Sequence, residues 1–331
     1  MHLILDTYGT TIDREDFRFK ITSDKHERII APRRISSISI FKNASISTAA
    51  ILLAVETNIP VIIFNRQGKP AARLWSSYYG SIATIRRNQV LFAMDLRSIE
   101  WLLNAYRMKT AGQCGNLHWL AEQRPSIKNE MEQAITLMSR RIDTKDEFEN
   151  LEAGKNAVMN LDATISKYYW EALSLAMKNN MPFEKRSRQP AQDHFNAIIN
   201  YLYGMLYSVV EGAVITAGLD PQLGFLHADE YNEPTFVFDC IEPFRPWTDR
   251  LALELILQKK LNSACFEKYE GEKAEEEIGF WLSRQGKQII IPAFFDCMKQ
   301  ANLFNNRRIK REDQIRAFCT QLAQRLKEPA P

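Results

Sequence analysis

Residues 33–70 read RRISSISIFKNASISTAAILLAVETNIPVIIFNRQGKP, and their pattern decides the fold of the first part of the chain. Ile35-Ser36-Ser37-Ile38-Ser39-Ile40 alternates apolar and polar side chains, the period of a half-buried strand. From Ser45 the sequence turns rich in Ala and Leu through Val55, which predicts one short helix. Ile59-Pro60-Val61-Ile62-Ile63-Phe64 is a continuous apolar run, read as a buried strand, and Asn65-Arg66-Gln67-Gly68-Lys69 closes it as a turn. Before this stretch, His2-Leu3-Ile4-Leu5 and the alternating Phe17-Arg18-Phe19-Lys20-Ile21 supply further strands. Together they predict a small β-rich domain over residues 1–80. The Ile35/Ile38/Ile40 stripe and the 59–64 run offer more apolar surface than so small a domain buries alone, so this domain is expected to join two chains in a symmetric dimer.

Residues 81–331 have another character. Leu91, Phe92, Met94, Leu96, Ile99, Leu102 and Leu103 recur at helical intervals, and Arg86 to Lys109 reads as one helix. Pro125-Ser126 opens a second, Asn156 to Lys178 forms a third and Phe195 to Ala217 a fourth, with Asp193 as its N-terminal cap. Ile315, Phe318, Cys319, Leu322 and Leu326 mark a terminal helix. The expected fold class is α+β: an N-terminal β-rich domain followed by an all-α C-terminal catalytic domain. At 331 residues the chain exceeds the usual size of a single core, which also argues for two domains.

Composition narrows the function. Hydrophobic residues make up 45% and charged residues 25%, as in a soluble globular protein. The formal net charge of +3 is too small to argue for nucleic acid by itself, and any DNA surface must be assembled by folding or dimerisation. Five scattered cysteines without a Cys-x-x-Cys pair exclude a disulfide framework or zinc knuckle and point to a reducing, cytoplasmic setting. Acidic residues from Asp6 onward interrupt any secretory signal, and the apolar region from Thr48 to Phe64 carries Glu56, Asn58 and Pro60, so no membrane role is expected. The chain has no Gly-rich phosphate loop, nucleophile elbow or His-Glu-x-x-His motif. Between the third and fourth helices, Pro182 and Pro190 bracket Lys185, Arg186 and Arg188, a mobile basic loop suited to DNA phosphates. Asn196 and Asn200, four residues apart, share a helix face and are expected to steady a polar site or the DNA backbone, as supports rather than in the chemistry.

The chemistry concentrates between residues 218 and 246. Gly224-Phe225-Leu226-His227 precedes Asp239-Cys240-Ile241-Glu242-Pro243-Phe244-Arg245-Pro246. On a helical turn, carboxylates three residues apart have Cβ atoms about 5–6 Å apart. A mixed nitrogen and oxygen set suits a divalent ion that activates an oxygen nucleophile. Asp-x-x-Glu is equally a capping pattern, in which Asp239 caps a helix and Glu242 reaches back. Pro243 weakens that alternative, because the residue before proline is disfavoured in helical geometry.

Gly218-Leu219-Asp220-Pro221, then Gly-Phe-Leu-His, then Asp-x-x-Glu-Pro-Phe-Arg-Pro form an order that resembles the CRISPR-associated adaptation integrase, the Cas-one family. The 33–70 stretch is similar to the sheet edge, short helix and return strand of the same family. The resemblance implies a metal-dependent DNA endonuclease and integrase that inserts foreign fragments into a CRISPR array by phosphoryl transfer. It implies Asp162, His227 and Glu242 as ligands of Mg2+ or Mn2+, Asp239 in or beside the same shell among the catalytic residues, and Arg245 with Lys185, Arg186 and Arg188 on DNA. In Leu161-Asp162-Ala163-Thr164-Ile165-Ser166-Lys167-Tyr168-Tyr169-Trp170, Asp162 stands where the family carries glutamate and Ala163 where it carries glycine. The shorter side chain retracts its carboxylate by about 1.5 Å. The implied partners are double-stranded DNA, a second copy of the chain, and a small CRISPR-associated protein, Cas-two, bridging two dimers. Two alternatives remain: a non-catalytic DNA-binding subunit of an adaptation complex, and a standalone nuclease for branched DNA.

Overall fold

In the computed structural model, the first of two units, Met1–Gly80, holds two four-stranded sheets among the described residues. Described are residues 1–331 apart from 6, 24–25, 36, 42–43, 58, 65–69, 75–82, 143–147, 189, 228–232, 270–278, 305–306 and 328–331. The elements run β1 (His2–Leu5), β2 (Thr11–Glu15), β3 (Arg18–Ser23), β4 (His26–Ile30), β5 (Ser37–Ile40), β6 (Ser45–Ile46), α1 (Thr48–Glu56), β7 (Val61–Phe64) and β8 (Pro70–Leu74). One sheet has the order β1-β5-β7-β8, with β5 parallel to both β1 and β7 and β8 antiparallel to β7. Parallel neighbours need a crossover, and α1 supplies it between β5 and β7. The second sheet has the order β4-β3-β2-β6. Phe19, Ile38 and Leu53 are wholly buried in the core of this unit. The helix does not begin at Ser45: Ser45 and Ile46 pair with β2, and the Ser47 hydroxyl caps α1 by accepting from the Ala50 amide at 3.2 Å. The turn read at 65–69 lies outside the described residues.

The second unit, Ser81–Pro331, is helical. It contains α2 (Ala83–Ala93), α3 (Leu96–Gln123), α4 (Lys128–Ile142), α5 (Leu151–Met177), α6 (His194–Thr216), α7 (Thr235–Ile241), α8 (Arg245–Leu257), α9 (Arg284–Lys299) and α10 (Arg311–Arg325). Among the described residues two antiparallel strand pairs accompany them, β9 (Phe266–Tyr269) with β10 (Gly279–Leu282), and β11 (Ala301–Phe304) with β12 (Arg307–Lys310). The single helix expected over 86–109 is two helices. Asp95 breaks the run, its carboxylate accepting from the Arg97 amide at 2.8 Å as the cap of α3. Asn150 caps α5 in the same way, about a turn earlier than the pattern indicated. α3 packs against α4, α5, α8 and the 3-10 turn Glu242–Phe244 that joins α7 to α8. Gly112 makes the contact with α8 possible, because a Cβ there would meet Pro246 Cβ at 2.8 Å. α6 is long and apolar enough to cross a membrane by length and composition alone, but it packs against α7, α8 and α10.

Candidate active site

The helices of the second unit and the loop before α7 bring the chemistry-bearing side chains together. Just past the end of α6 lies Gly218, whose φ of +81° is left-handed, and the Leu219 amide reaches back to Val214 O at 3.1 Å. The buried Gln89 side chain of α2 then clamps the following loop, donating to Asp220 O at 2.9 Å and accepting from the Asp220 amide at 2.8 Å. Phe225 anchors the next turn, its ring 4.9 Å from Phe236 and 5.4 Å from Trp101. A Cβ at Gly224 would lie 2.8 Å from Thr235 Oγ1, so only glycine lets this loop close on the start of α7.

Asp239 lies fully buried on α7 and points at that loop. Its Oδ2 accepts from the amides of Phe225 at 2.6 Å and Leu226 at 3.1 Å, while Oδ1 is 2.7 Å from His227 Nδ1. This carboxylate orients the imidazole and leaves Nε2 as the free ring nitrogen. Burial by itself lowers the His227 imidazole, but the hydrogen bond and charge of Asp239 outweigh it and hold it above the usual histidine range.

Glu242 faces elsewhere. Contrary to the expectation raised by Pro243, Glu242 is helical, with φ −53° and ψ −45°. The proline falls in the first turn of the 3-10 segment, where its missing N–H has no partner to lose. Glu242 Oε1 accepts from Arg245 Nε at 2.8 Å. Its Oε2 lies 2.6 Å from the ammonium of Lys109 in a buried ion pair. The same Lys109 Nζ donates to Asp162 Oδ1 at 2.6 Å, and Ser166 Oγ donates to that oxygen at 3.2 Å. Asp162 and Glu242, from α5 and the turn after α7, therefore meet at one lysine of α3. Burial raises the Glu242 carboxyl, but the charges of Arg245 and Lys109 overcome it and hold it down at about 2. Burial likewise lowers the Lys109 ammonium, and Glu242 and Asp162 together reverse the shift, leaving it above the ordinary lysine range.

The polar core continues through Arg245. Its guanidinium lies 4.4 Å from the Tyr203 ring centroid, and the Tyr203 hydroxyl donates to Asp249 Oδ1 at 2.8 Å. Tyr169 donates to Asp249 Oδ2 at 3.2 Å, and Asn116 Nδ2 donates to both Tyr169 Oη at 3.1 Å and Pro246 O at 2.8 Å. Burial pushes the Asp249 carboxyl up to about 6 against these donors.

Residues 3–296 match the family described as CRISPR associated protein Cas1. The chain belongs to the Cas1 family. It is 29% identical over 282 residues to a CRISPR-associated endonuclease Cas1 of Archaeoglobus fulgidus, covering 81% of each chain. Among solved structures, a casposase bound to its integration product superposes with a TM-score of 0.79 at 20% identity, over 100% of this chain and 92% of that one. A Cas6-RT-Cas1–Cas2 complex superposes with a TM-score of 0.74 at 15% identity, over 99% of this chain and 35% of that one.

In this Cas1 chain the expected trio does not form a ready cluster. Among the described residues, no group of three or more His, Cys, Asp or Glu side chains is arranged to hold an ion. Asp162 and Glu242 are joined through Lys109, and His227 is joined to Asp239. The donor chemistry nonetheless suits a divalent ion: the buried Glu242 carboxylate, the partly exposed Asp162 carboxylate, and an imidazole whose other nitrogen is already engaged. The basic segment also differs from expectation. Arg186 is turned inward, donating to Asn200 Oδ1 at 2.8 Å and to Asn196 Oδ1, with its guanidinium 5.3 Å from the Trp170 ring. It ties the segment down, while Lys185 and Arg188 stay exposed. Asn196 and Asn200 act as the expected supports, and Asp193 caps α6 by accepting from the Asn196 amide at 2.7 Å. Lys109 is the site residue that the sequence reading missed. Its signal was a polar stripe at Lys109, Gln113 and Asn116, spaced four and three residues along one helix face, all of it buried.

Proposed function

We propose that this Cas1 chain is a divalent-metal-dependent DNA endonuclease and integrase that inserts foreign fragments into a CRISPR array. The observation that carries this reading is the meeting of Asp162 and Glu242, 80 positions apart in the sequence, at one buried lysine, within a family match spanning residues 3–296. Asp162, Glu242 and His227 Nε2 would hold Mg2+ or Mn2+, which when bound supplies Lewis acidity toward a phosphoryl oxygen. The protein's own residues do the positioning. Asp239 holds the imidazole in one tautomer and orientation. Arg245 keeps the Glu242 carboxylate ionised and in place. The Tyr203–Asp249–Tyr169 network fixes Arg245 from behind. Lys185 and Arg188 are free for phosphate contacts, whereas Arg186 and Arg245 serve inside the protein.

The Archaeoglobus relative's name and the casposase complex with its integration product support cutting and joining of DNA. The Cas6-RT-Cas1–Cas2 complex supports a Cas2 partner. In our reading Cas2 bridges two dimers, each built through the strand-rich unit. The test is insertion of a labelled duplex into a supercoiled plasmid carrying a leader and repeat, with Mg2+ or Mn2+ present. Parent protein should insert, His227→Ala and Asp162→Ala should not, and Asp162→Glu should retain or raise activity. DNA affinity, which comes from many phosphate contacts, should stay within a few-fold. Insertion by His227→Ala at the parent rate would refute the assignment. One observation favours a second reading, a non-catalytic DNA-binding subunit: Lys109 sits between the two carboxylates, and the first of them is Asp where the family carries Glu. An inactive parent that still binds DNA would decide for it.

A further inference from the structure

We propose that Lys109 is a built-in counter-cation that competes with the divalent ion for Asp162 and Glu242, and so sets the metal affinity of this site. The inference rests on the metal-site reading above. Lys109 Nζ lies 2.6 Å from a carboxylate oxygen on each side, and its side chain is only 8% exposed. A divalent ion held by the same two oxygens would sit about 2.0–2.6 Å from each. The ammonium and the ion therefore claim one position, and two cations cannot share it. The oxygens lie apart by no more than twice the lysine distance, so holding one Mg2+ at about 2.0–2.1 Å from each would draw them together by at most about 1 Å.

The surroundings fit displacement. Glu242 keeps Arg245 as a second partner at 2.8 Å, so it stays ionised when the lysine leaves. Asp162 keeps Ser166, and at 30% exposure it is also open to water. Lysine carries a compact charge on a flexible four-carbon stem, unlike the planar fork of arginine. One turn back on α3, the Tyr106 ring centroid is 5.2 Å from Nζ and offers the departing ammonium a cation–π resting place. Before the ion arrives, Lys109 neutralises two carboxylates that would otherwise repel each other across a buried gap. Afterwards its charge is held nearby, where it opposes the ion. The chain thus trades metal affinity for a preassembled site.

The test is Mn2+ binding to full-length protein, read by the EPR signal of free Mn2+ at fixed ionic strength, for parent, Lys109→Met, Lys109→Arg and Glu242→Gln. Lys109→Met should bind Mn2+ at least tenfold more tightly than the parent, and Mn2+ should raise its thermal midpoint by more. Lys109→Arg, which keeps the charge, should bind no more tightly than the parent. Equal or weaker binding by Lys109→Met would overturn the proposal. Should Lys109→Met unfold without metal, Mn2+ must restore its folding transition, and failure to do so overturns the proposal equally. If Glu242→Gln loses Mn2+ binding while Lys109→Met matches the parent, only the lysine inference falls. If Glu242→Gln binds as the parent does, the metal site itself is wrong and both fall.

Discussion

Replacing Glu242 by Gln removes the one carboxylate that two buried cations share, and the cost can be worked from its ionisation. Lys109 and Arg245 overcome burial and hold the carboxyl at about 2, against an ordinary value of 4.5. A depression of about 2.5 units corresponds to about 3 kcal/mol at 1.36 kcal/mol per unit. Removing one partner from a buried ion pair costs about 3–5 kcal/mol in other proteins, an independent figure of the same size. Because the folded value is depressed, the contribution is complete above pH 4.5 and disappears as pH falls toward 2. At pH 7 the variant should therefore lose about 3 kcal/mol, or about 6–12 °C in thermal midpoint for a unit of this size. The glutamine oxygen still accepts a hydrogen bond, which places the loss toward the lower end. Urea unfolding followed by far-UV circular dichroism, from pH 2 to 7 and without divalent metal, makes the comparison. The parent should lose stability between pH 4.5 and 2 by about one proton more than the variant. A variant within about 1 kcal/mol of the parent at pH 7, with the same acid profile, would refute the argument that Glu242 anchors both cations.

Asp249→Asn should change the pH profile in the opposite direction. Burial raises Asp249 to about 6, so the folded chain keeps a proton that the unfolded chain releases near 3.8, and stability falls as pH rises between those values, by about 3 kcal/mol from this group. The Asn variant should lack that fall, which urea midpoints at pH 4, 5 and 6 will show. Asp239→Asn should lower Mn2+ affinity and DNA insertion by about 10–100-fold through loss of the His227 orientation, while DNA binding is unchanged. Unchanged Mn2+ affinity in that variant would mean that the 2.7 Å contact to His227 has no part in ligation.

Much of the architecture was legible because it follows from local periodicity. The alternation at 35–40, the apolar run at 59–64 and the 3.6-residue spacing in the helical unit each record which face is buried. Strands β2 and β4 escaped that reading for a physical reason. Only Ile12 of β2 is buried, and β4 is an exposed edge strand, so neither carries an apolar alternation. The prolines at 243 and 246 masked α7 and α8, since a proline ends one helix and opens the next equally well, and only packing decides which.

The site divides the same way. The motif order exposed His227, Asp239 and Glu242 as a group, and the resemblance added Asp162. Their contacts were decided by tertiary structure, because three-residue spacing says that two acids are near each other and nothing about what each one faces. Asp239 turns to the loop amides and His227, while Glu242 turns to Lys109 and Arg245. A lysine in an amphipathic helix reads as a solvated residue. Lys109 became part of the site only when α5 and the turn after α7 closed over α3, burying the ammonium where two distant carboxylates could meet it.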